Sequence, residues 1–338
     1  MTTHLKRLIF KALLIFKRRL KIQGTVFKIE SKDYYLLNES EEEIRCSLRG
    51  KFQQEFSLKR GKLFSVDIVA VGDQVFFEMN RDGTGVIEKV MPRRNYISRK
   101  VPKIKGASTR GERLEQIVAA NVDNLVVVSS CQLPKLNNRL IDRLIVAGES
   151  SHTKPIIVIN KTDLDPSQKF KSLSELYRNI GYAVFETSTI TKNGLLELCT
   201  AMKNKINLMW GHSGVGKSSL LNEMYKGLNF RIGKISDFNS KGKHTTVTSI
   251  LRKVDADTFI IDTPGIREID PYGVRKEDLG HYFIDFKNFQ DNCRFNTCTH
   301  QHEPGCAIIE AVNNGLLNGM RYQSYLNMLV TIEDGMNF

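Results

Sequence analysis

The sequence GHSGVGKSS at residues 211–219 has the spacing G-x-x-x-x-G-K-[ST] and lies between an apolar run and a helix-forming segment. Glycines at these positions let backbone N–H groups turn toward phosphate oxygens, and the helix start adds partial positive charge. Lys217 is placed to reach the β- and γ-phosphates as a catalytic residue, and the Ser218 hydroxyl to bind Mg²⁺. The predicted nucleotide-binding residues of this loop are Gly211, His212, Ser213, Gly214, Val215, Gly216, Lys217, Ser218 and Ser219.

A second motif, DTPG at 262–265, follows an apolar run that begins at Ile260. Asp262 is predicted to hold the same Mg²⁺ through water, and the backbone N–H of Gly265 to contact the γ-phosphate. Alone, these four residues fit an ordinary turn. Because they follow a phosphate loop at a suitable distance, they indicate the carboxylate side of a magnesium–nucleotide site.

NKTD at 160–163 has the residue types that select a guanine base. The Asp163 carboxylate can accept hydrogen bonds from the N1–H and the exocyclic amine of guanine, while the Lys161 stem covers the ring. Adenine presents an acceptor at N1 and would leave the carboxylate unpaired, so sites of this design discriminate by roughly 10⁴–10⁵. We therefore predict binding of GTP and GDP rather than ATP, with Asn160, Lys161, Thr162 and Asp163 at the base.

The order of these motifs differs from that of Ras-like GTPases, in which the phosphate loop precedes the NKxD element. Here NKTD comes first. A circular permutation explains the order without altering the site, because the termini of such domains lie close together. The chain then passes from the DTPG loop directly into the C-terminal region.

The segment that carries the motifs alternates between β and α patterns. Its strands are nearly continuous apolar runs, which are typical of a buried parallel sheet covered by helices. The predicted strands are 122–130, 155–160, 182–188, 206–211, 246–254 and 257–262. The predicted helices lie around 136–149 and 167–180, and others begin near 193 and 217.

Five short strand patterns between Gly24 and Met91, with a hairpin signal at 80–85, predict a small β-barrel before this segment. An OB-type barrel suits a nucleic-acid partner. Composition alone does not separate it from an SH3-like barrel.

Three of the six cysteines lie within fourteen residues of the C-terminal region, in the pattern C-x₄-C-x-H-x₅-C. Soft thiolates with one imidazole favour tetrahedral Zn²⁺ over a disulfide, and a closed set of four ligands indicates a structural site. The residues alone leave His302 as a competing ligand and a reduced, metal-free cluster as the alternative. The candidate ligands are Cys293, Cys298, His300 and Cys306. We expect Cys46, Cys131 and Cys199 to be buried small residues.

Fifty Lys and Arg against 37 Asp and Glu give a formal charge of +13, which favours a polyanionic partner such as RNA. Residues 1–21 are basic and amphipathic, with apolar runs too short for a signal peptide or a membrane span. This segment is interpreted as a solvated tail, an RNA-contacting arm or a membrane-surface helix. Residues 92–113 carry eight Lys or Arg and one Glu. They are interpreted as a solvated connector or as an RNA-phosphate strip.

In combination, these motifs over about residues 24–335 resemble the circularly permuted small ribosomal subunit biogenesis GTPases, the RsgA (YjeQ) family. The resemblance adds the segments ETS at 186–188 and KGKHTT at 241–246. It implies that His300, rather than His302, is the fourth zinc ligand. Because Thr189 stands where an alanine is common, Ser188 is the implied base contact. Val247 interrupts the usual threonine run, so Thr245 or Thr246 is the implied Mg²⁺ ligand.

The resemblance also implies a multidomain architecture with an N-terminal OB-type β-barrel, a central circularly permuted α/β P-loop GTPase domain and a mainly helical zinc-binding domain. The expected divisions are a tail at 1–22, the barrel at 23–92, a basic linker at 93–113, the GTPase domain at 114–272 and the zinc-binding domain at 273–338. One Zn²⁺ per chain, and Mg²⁺ with GTP, are the expected cofactors.

By the same resemblance, the chain is expected to be a cytoplasmic, monomeric GTPase without stable membrane association. It would act in late maturation of the 30S ribosomal subunit, bind 16S rRNA and be stimulated by the subunit. Two alternative hypotheses are an RNA-binding module in which nucleotide only sets the conformation, and a membrane-associated GTPase that uses the N-terminal segment.

The residue after the DTPG glycine bears on the hydrolysis step. Many Ras-like enzymes place a glutamine there to orient the attacking water, whereas this chain has Ile266. His244, beside the threonines of the switch loop, is the candidate catalytic replacement. An exposed loop histidine without a catalytic role is the alternative.

Overall fold

The N-terminal module is a closed barrel in the computed structural model, which describes residues 22–50, 68–100, 115–228, 230, 249–263 and 272–332. Its strands are β1 (Ile22–Glu30), β2 (Asp33–Asn38), β3 (Glu43–Leu48), β4 (Gln74–Met79) and β5 (Gly85–Val90). The order is β1-β2-β3-β5-β4, β4 returns to pair with β1, and β3 and β5 are parallel. This five-stranded Greek-key closure is of the OB type, which composition had left open.

A two-stranded ribbon follows the barrel and differs from the connector that the sequence predicts. β6 (Tyr96–Lys100) pairs antiparallel with β7 (Glu115–Ala120), and residues 101–113 of the predicted linker lie outside the described residues. Ile97 is completely buried. The paired part of this segment is therefore packed against the rest of the fold and is not a fully solvated strip. Its many charged residues hide this in the sequence.

Arg93, just before the ribbon, is held within the fold. Its guanidinium forms a two-point ion pair with Asp73, with Nε–Oδ1 and Nη2–Oδ2 distances of 2.7 Å, and the Asp73 side chain is fully buried. Arg94 pairs with Asp123 at 2.6 Å, and Arg99 donates to Gln116. These arginines of the predicted RNA strip therefore have structural partners.

The central module is a six-stranded sheet in the order β10-β9-β8-β11-β13-β12, parallel except for β12. Its strands are β8 (Asn124–Ser130), β9 (Lys154–Asn160), β10 (Ala183–Glu186), β11 (Ile206–Trp210), β12 (Ile250–Asp255) and β13 (Thr258–Asp262). Its helices are α1 (Asn138–Ser150), α2 (Lys171–Ile180), α3 (Leu195–Met202) and α4 (Lys217–Met224). One face of the sheet packs on α1 and α2, and the other packs on α3 and α4. The predicted alternation of strands and helices is confirmed.

The C-terminal module contains short helices around a cysteine-rich loop. The 3₁₀ turns Leu279–Tyr282 and Ile284–Phe286 lead into α5 (Lys287–Gln290), followed by α6 (Ala307–Asn313) and α7 (Gly319–Thr331). Asn318 caps α7 by accepting from the N–H groups of Met320 and Arg321.

A buried ionic cluster joins α7 to α1. Arg321 is 1% exposed, and it donates to Asp142 on α1 at 2.6 Å and to Asp285 at 2.8 Å. The Tyr177 hydroxyl of α2 also donates to Asp142, at 2.7 Å. At the edge of the sheet, Lys253 on β12 pairs with Glu41 of the barrel. Both flanking modules are thus tied to the central sheet.

None of the helices within the described residues combines the length and apolar character needed to cross a bilayer. The N-terminal segment 1–21, whose role the sequence left open, lies outside the described residues.

Candidate nucleotide site and metal centre

The glycine-rich loop connects β11 to α4, as the motif requires. Gly214 and Gly216 have φ angles of +82° and +96°, a backbone region in which other residues are strained. α4 begins at Lys217 with Ser218 in its first turn. The loop therefore ends at a helix N-terminus, the arrangement that favours phosphate binding.

Asn160, at the carboxyl end of β9, ties the base-side motif to this loop. Its Nδ2 donates to the carbonyl of Val215 at 2.9 Å, and its Oδ1 accepts from the hydroxyl of Thr187 at 3.0 Å. A Cβ at Gly216 would lie 2.4 Å from Asn160 Nδ2, so only glycine fits here. Sequence reasoning missed Thr187, although it occupies the position just before Ser188 in the ETS segment.

Lys161 crosses the loop from the base side. It adopts a left-handed conformation with φ of +61°, and its Nζ donates to the carbonyls of Gly214, at 2.7 Å, and Leu133. The Cys131 thiol lies 3.2 and 3.1 Å from the carbonyl oxygens of Asn160 and Lys161. Burial raises the pKa of Cys131 to about 11, which keeps the thiol protonated as a donor. Cys131, predicted only to be buried, therefore supports the turn that presents Lys161.

Asp163 and Ser188 meet where the base is predicted to bind. The Ser188 hydroxyl donates to Asp163 Oδ1 at 2.5 Å, and Ser188 Oγ itself accepts from the N–H groups of Ile190 and Thr191. The two backbone donors direct the hydroxyl proton toward Asp163. The carboxylate is thereby oriented by a buried side chain, while Asp163 itself is half-buried.

Lys217 and Asp262 lie on the phosphate side. Lys217 Nζ donates to the carbonyls of Gly211 and His212 at 2.7 and 3.1 Å. Burial lowers the pKa of Lys217 and raises that of Asp262, and the attraction between the two opposes both shifts. Asp262 and the Ser218 hydroxyl supply the hard oxygen donors that suit Mg²⁺. Four further predicted residues lie outside the described residues: His244, Thr245, Thr246 and Gly265.

The three cysteines and His300 form one compact cluster whose ligand atoms all lie within 4.8 Å of one another. Cys293 Sγ lies 3.5 Å from His300 Nδ1 and 4.0 Å from Cys306 Sγ, while His300 Nδ1 and Cys306 Sγ are 3.4 Å apart. A tetrahedral Zn²⁺ requires S–S and S–N separations of about 3.8 and 3.6 Å, so the residues fit this ion. The cluster could hold one metal ion.

His302 is exposed and outside this cluster, so the structure favours His300 as the histidine ligand. His300 is buried, and burial lowers its pKa, which favours the neutral, metal-binding imidazole. Glu303 accepts hydrogen bonds from the N–H groups of Thr299, Gln301 and His302. Burial opposes ionisation of Glu303, but a hydrogen bond from the Thr299 hydroxyl and the backbone N–H groups lower its pKa to about 2. The carboxylate thereby shapes the loop.

Trp210, the only tryptophan of the chain, ends β11 and immediately precedes the phosphate loop. The side chain is 1% exposed, and its indole N–H has no acceptor among the described residues. Among the described residues, the ring is therefore held by apolar packing next to Gly211.

Comparisons with known proteins agree with this architecture. The family model described as RsgA GTPase matches residues 90–272. A relative from Bacteroides thetaiotaomicron, named small ribosomal subunit biogenesis GTPase RsgA 2, is 35% identical over 317 residues, covering 93% of this chain and 98% of that protein. The crystal structure of YjeQ from Thermotoga maritima aligns with a TM-score of 0.72 and 33% identity, over 92% of this chain and 98% of that one. YloQ, described as a circularly permuted GTPase, aligns with a TM-score of 0.66 and 27% identity, covering 94% of this chain and 97% of its own.

Proposed function

The chain belongs to the RsgA GTPase family, and from this membership we propose that it is a GTP hydrolase acting in biogenesis of the small ribosomal subunit. The observation that carries the proposal is the direct hydrogen bond from Asn160 to Val215, which joins the guanine-selecting motif to the phosphate loop. This contact supports the assignment of the two motifs, which are far apart in sequence and in reversed order, to one nucleotide site.

In this proposal, Asp163 accepts hydrogen bonds from the guanine edge, Ser188 orients that carboxylate, and Lys161 covers the ring. Asn160, Thr162 and the loop 211–219 complete the nucleotide contacts, with Lys217 neutralising phosphate charge. Ser218, Asp262 and either Thr245 or Thr246 would hold Mg²⁺, and Gly265 would contact the γ-phosphate. Bound Mg²⁺ supplies charge neutralisation of the phosphates.

For the hydrolysis step, we assign water orientation to His244, because Ile266 can neither donate nor accept a hydrogen bond. Intrinsic turnover is then slow, and contact with the 30S subunit accelerates it. The three cysteines and His300 hold one structural Zn²⁺, since their spacing suits a tetrahedral thiolate site with no open position.

The partner is the 30S subunit through its 16S rRNA, which the charge of +13 and the OB-type barrel favour. Because ribosomal particles are the proposed partner, we also propose that the chain acts as a monomer in the cytoplasm and does not associate stably with membranes. We propose the domain boundaries predicted from the sequence, except that the first part of the linker forms strand β6 of the ribbon.

The decisive experiment measures GTP and ATP hydrolysis with and without purified 30S subunits. We expect the 30S subunits to stimulate GTP hydrolysis strongly and to leave ATP hydrolysis unchanged. Binding of GTP without stimulated turnover would instead favour an RNA-binding module in which nucleotide only sets the conformation.

Base selection has a test with a gain of function. Asp163→Asn presents one donor and one acceptor in place of two acceptors, which matches xanthine rather than guanine. We expect the variant to lose GTP affinity and to gain affinity for xanthosine triphosphate. Unchanged preference for GTP would contradict the assignment of Asp163.

A further inference from the structure

An arginine and a phenylalanine form an exposed stacked pair on the cysteine-rich loop. Phe295 is 43% exposed, whereas other aromatic rings of the same module, such as Phe283, Phe286 and Tyr325, are completely buried. The guanidinium carbon of Arg294 lies 5.5 Å from the centroid of the Phe295 ring. An apolar ring and a cation are thus presented together to solvent.

The backbone around this pair is fixed on both sides. Cys293 and Cys298, which flank it, belong to the metal cluster, and the Cys298 N–H donates to the Phe295 carbonyl at 3.2 Å. The Arg294 N–H donates to the carbonyl of Gly305 at 3.1 Å. A partner that binds here meets a preformed surface and orders little chain.

Gly305 has a specific role in placing Arg294. Its φ angle is +75°, and a Cβ at this position would lie 3.2 Å from Arg294 Cβ and 3.4 Å from Cδ. The stem of Arg294 therefore rests on a glycine, which directs the guanidinium toward the ring of Phe295.

Apart from contacting each other, the two side chains have no evident structural role among the described residues. Arg294 has no ion-pair partner among the residues that the structure describes, and Phe295 belongs to none of the buried clusters of those residues. The neighbouring side chains are exposed and polar: Asn292, Asn296 and Thr297. An aromatic face, a cation and adjacent hydrogen-bonding groups are the features that proteins use to bind unpaired nucleobases.

We propose that Arg294 and Phe295 form a stacking site for an unpaired base of single-stranded RNA, with the Arg294 charge directed to its phosphates. This proposal rests on the proposed function and assigns one RNA contact to the metal-binding module. A single ring with one cation matches the size of a base, whereas a protein interface needs about 800 Å² from each partner.

The test uses the full, zinc-loaded chain and filter binding of a ten-nucleotide adenosine RNA and of an RNA duplex. Phe295→Leu keeps the residue apolar but removes the aromatic face. We expect it to weaken single-strand binding by about 5- to 150-fold, as loss of one stacked base does. Phe295→Trp, which keeps an aromatic face, should bind the single strand as tightly as the unmodified chain does. The affinity of Phe295→Leu for the duplex should change little. Leu316→Ala, another exposed apolar position of the module, is the matched control.

Arg294→Gln supplies an independent measurement. Removing one phosphate contact should reduce the slope of log affinity against log salt by about 1, whereas Phe295→Leu should leave that slope unchanged. Zinc content, measured for each variant, shows whether the loop is intact.

Unchanged single-strand affinity in Phe295→Leu would overturn the proposal, and so would an equal loss for single strand and duplex. Loss of 30S co-sedimentation with unchanged RNA affinity would also overturn it and would identify a protein contact on the particle. GTP turnover of the unmodified chain with 30S subunits tests the proposed function separately. Failure of the stacking site would leave that result intact.

Discussion

Arg321 and Asp142 form a buried ion pair, with 2.6 Å between Nη1 and Oδ1 and side-chain exposures of 1% and 0%. Arg321 lies on α7 of the C-terminal module and Asp142 on α1 of the nucleotide-binding module, 179 residues away in sequence. The ring of Phe283 covers the guanidinium, with 4.5 Å between its centroid and the Arg321 guanidinium carbon. The pair therefore fixes the orientation of the two modules in a place that water does not reach.

Arg321→Leu should separate the stability of the C-terminal module from that of the sheet. Removing one partner of a buried pair costs about 3–5 kcal/mol, because the remaining carboxylates are left unpaired. Hydrogen exchange should increase along α7 and α1. Arg275→Leu, which breaks an exposed pair with Asp278 in the same module, is the control and should have little effect. Equal exchange in both variants would argue against a structural role for Arg321.

Gly216→Ala should weaken GTP binding by at least about tenfold. A methyl group here would displace the Asn160 amide and break its hydrogen bond to Val215, worth about 1 kcal/mol, in addition to backbone strain of about 1–2 kcal/mol. Gly227 has a similar φ of +102° but open space around it. Gly227→Ala is therefore a control that carries strain without the collision. Calorimetric titration with GTP should separate the two variants; matching affinities would rule out the steric explanation.

Cys298→Ala should reduce zinc content well below one ion per chain and increase hydrogen exchange across residues 272–332. The effect follows because a structural zinc site contributes its binding energy to folding. Cys199→Ala is the matched control, since Cys199 is half-exposed and outside the cluster, contrary to the prediction that it is buried. The affinity of Cys298→Ala for GTP should change only slightly, although its metal content falls. Full zinc occupancy in Cys298→Ala would refute the ligand assignment.

His244→Ala should retain GTP affinity while losing most of the turnover that 30S subunits stimulate. Loss of one water-orienting group costs on the order of 10²–10⁴ in rate. His281→Ala, at an exposed histidine of the C-terminal module, serves as the control. If stimulated turnover in His244→Ala matches that of the unmodified chain, the ribosomal particle itself must position the water.

Arg93→Gln should destabilise the barrel by about 3 kcal/mol, because it leaves the fully buried Asp73 carboxylate without its cation. Arg94→Gln, at a largely exposed pair, should cost at most about 1 kcal/mol. Denaturant unfolding measures both effects. Arg93→Gln should leave the salt dependence of RNA binding unchanged, since its charge is already neutralised. A reduced salt slope would return Arg93 to the predicted RNA strip.

The parts of this fold that could be predicted from sequence have local signals. The strands of the central sheet are apolar runs, and the phosphate loop and NKTD are contiguous motifs whose chemistry follows from their residue types. The ribbon could not be predicted, because Arg99 and Lys100 make β6 look solvated while Ile97 alone marks its buried face.

The remaining contacts depend on elements that are distant in sequence. Cys131 meets Lys161 because β8 and β9 are parallel neighbours whose carboxyl ends share one edge of the sheet. Arg321 in a helix suggests an exposed cation until the fold brings two aspartates to it. Such pairings follow from tertiary packing, which no window of sequence contains.

The position of Trp210 gives the molecule an intrinsic optical reporter. The chain has no other tryptophan, so all of its indole emission originates one residue before the phosphate loop. The ring is enclosed and its N–H lacks an acceptor among the described residues, so the emission depends on the packing around β11 rather than on solvent. The fluorescence of the isolated, unlabelled chain therefore reports on packing beside the phosphate loop, and its response to added GTP can be measured directly.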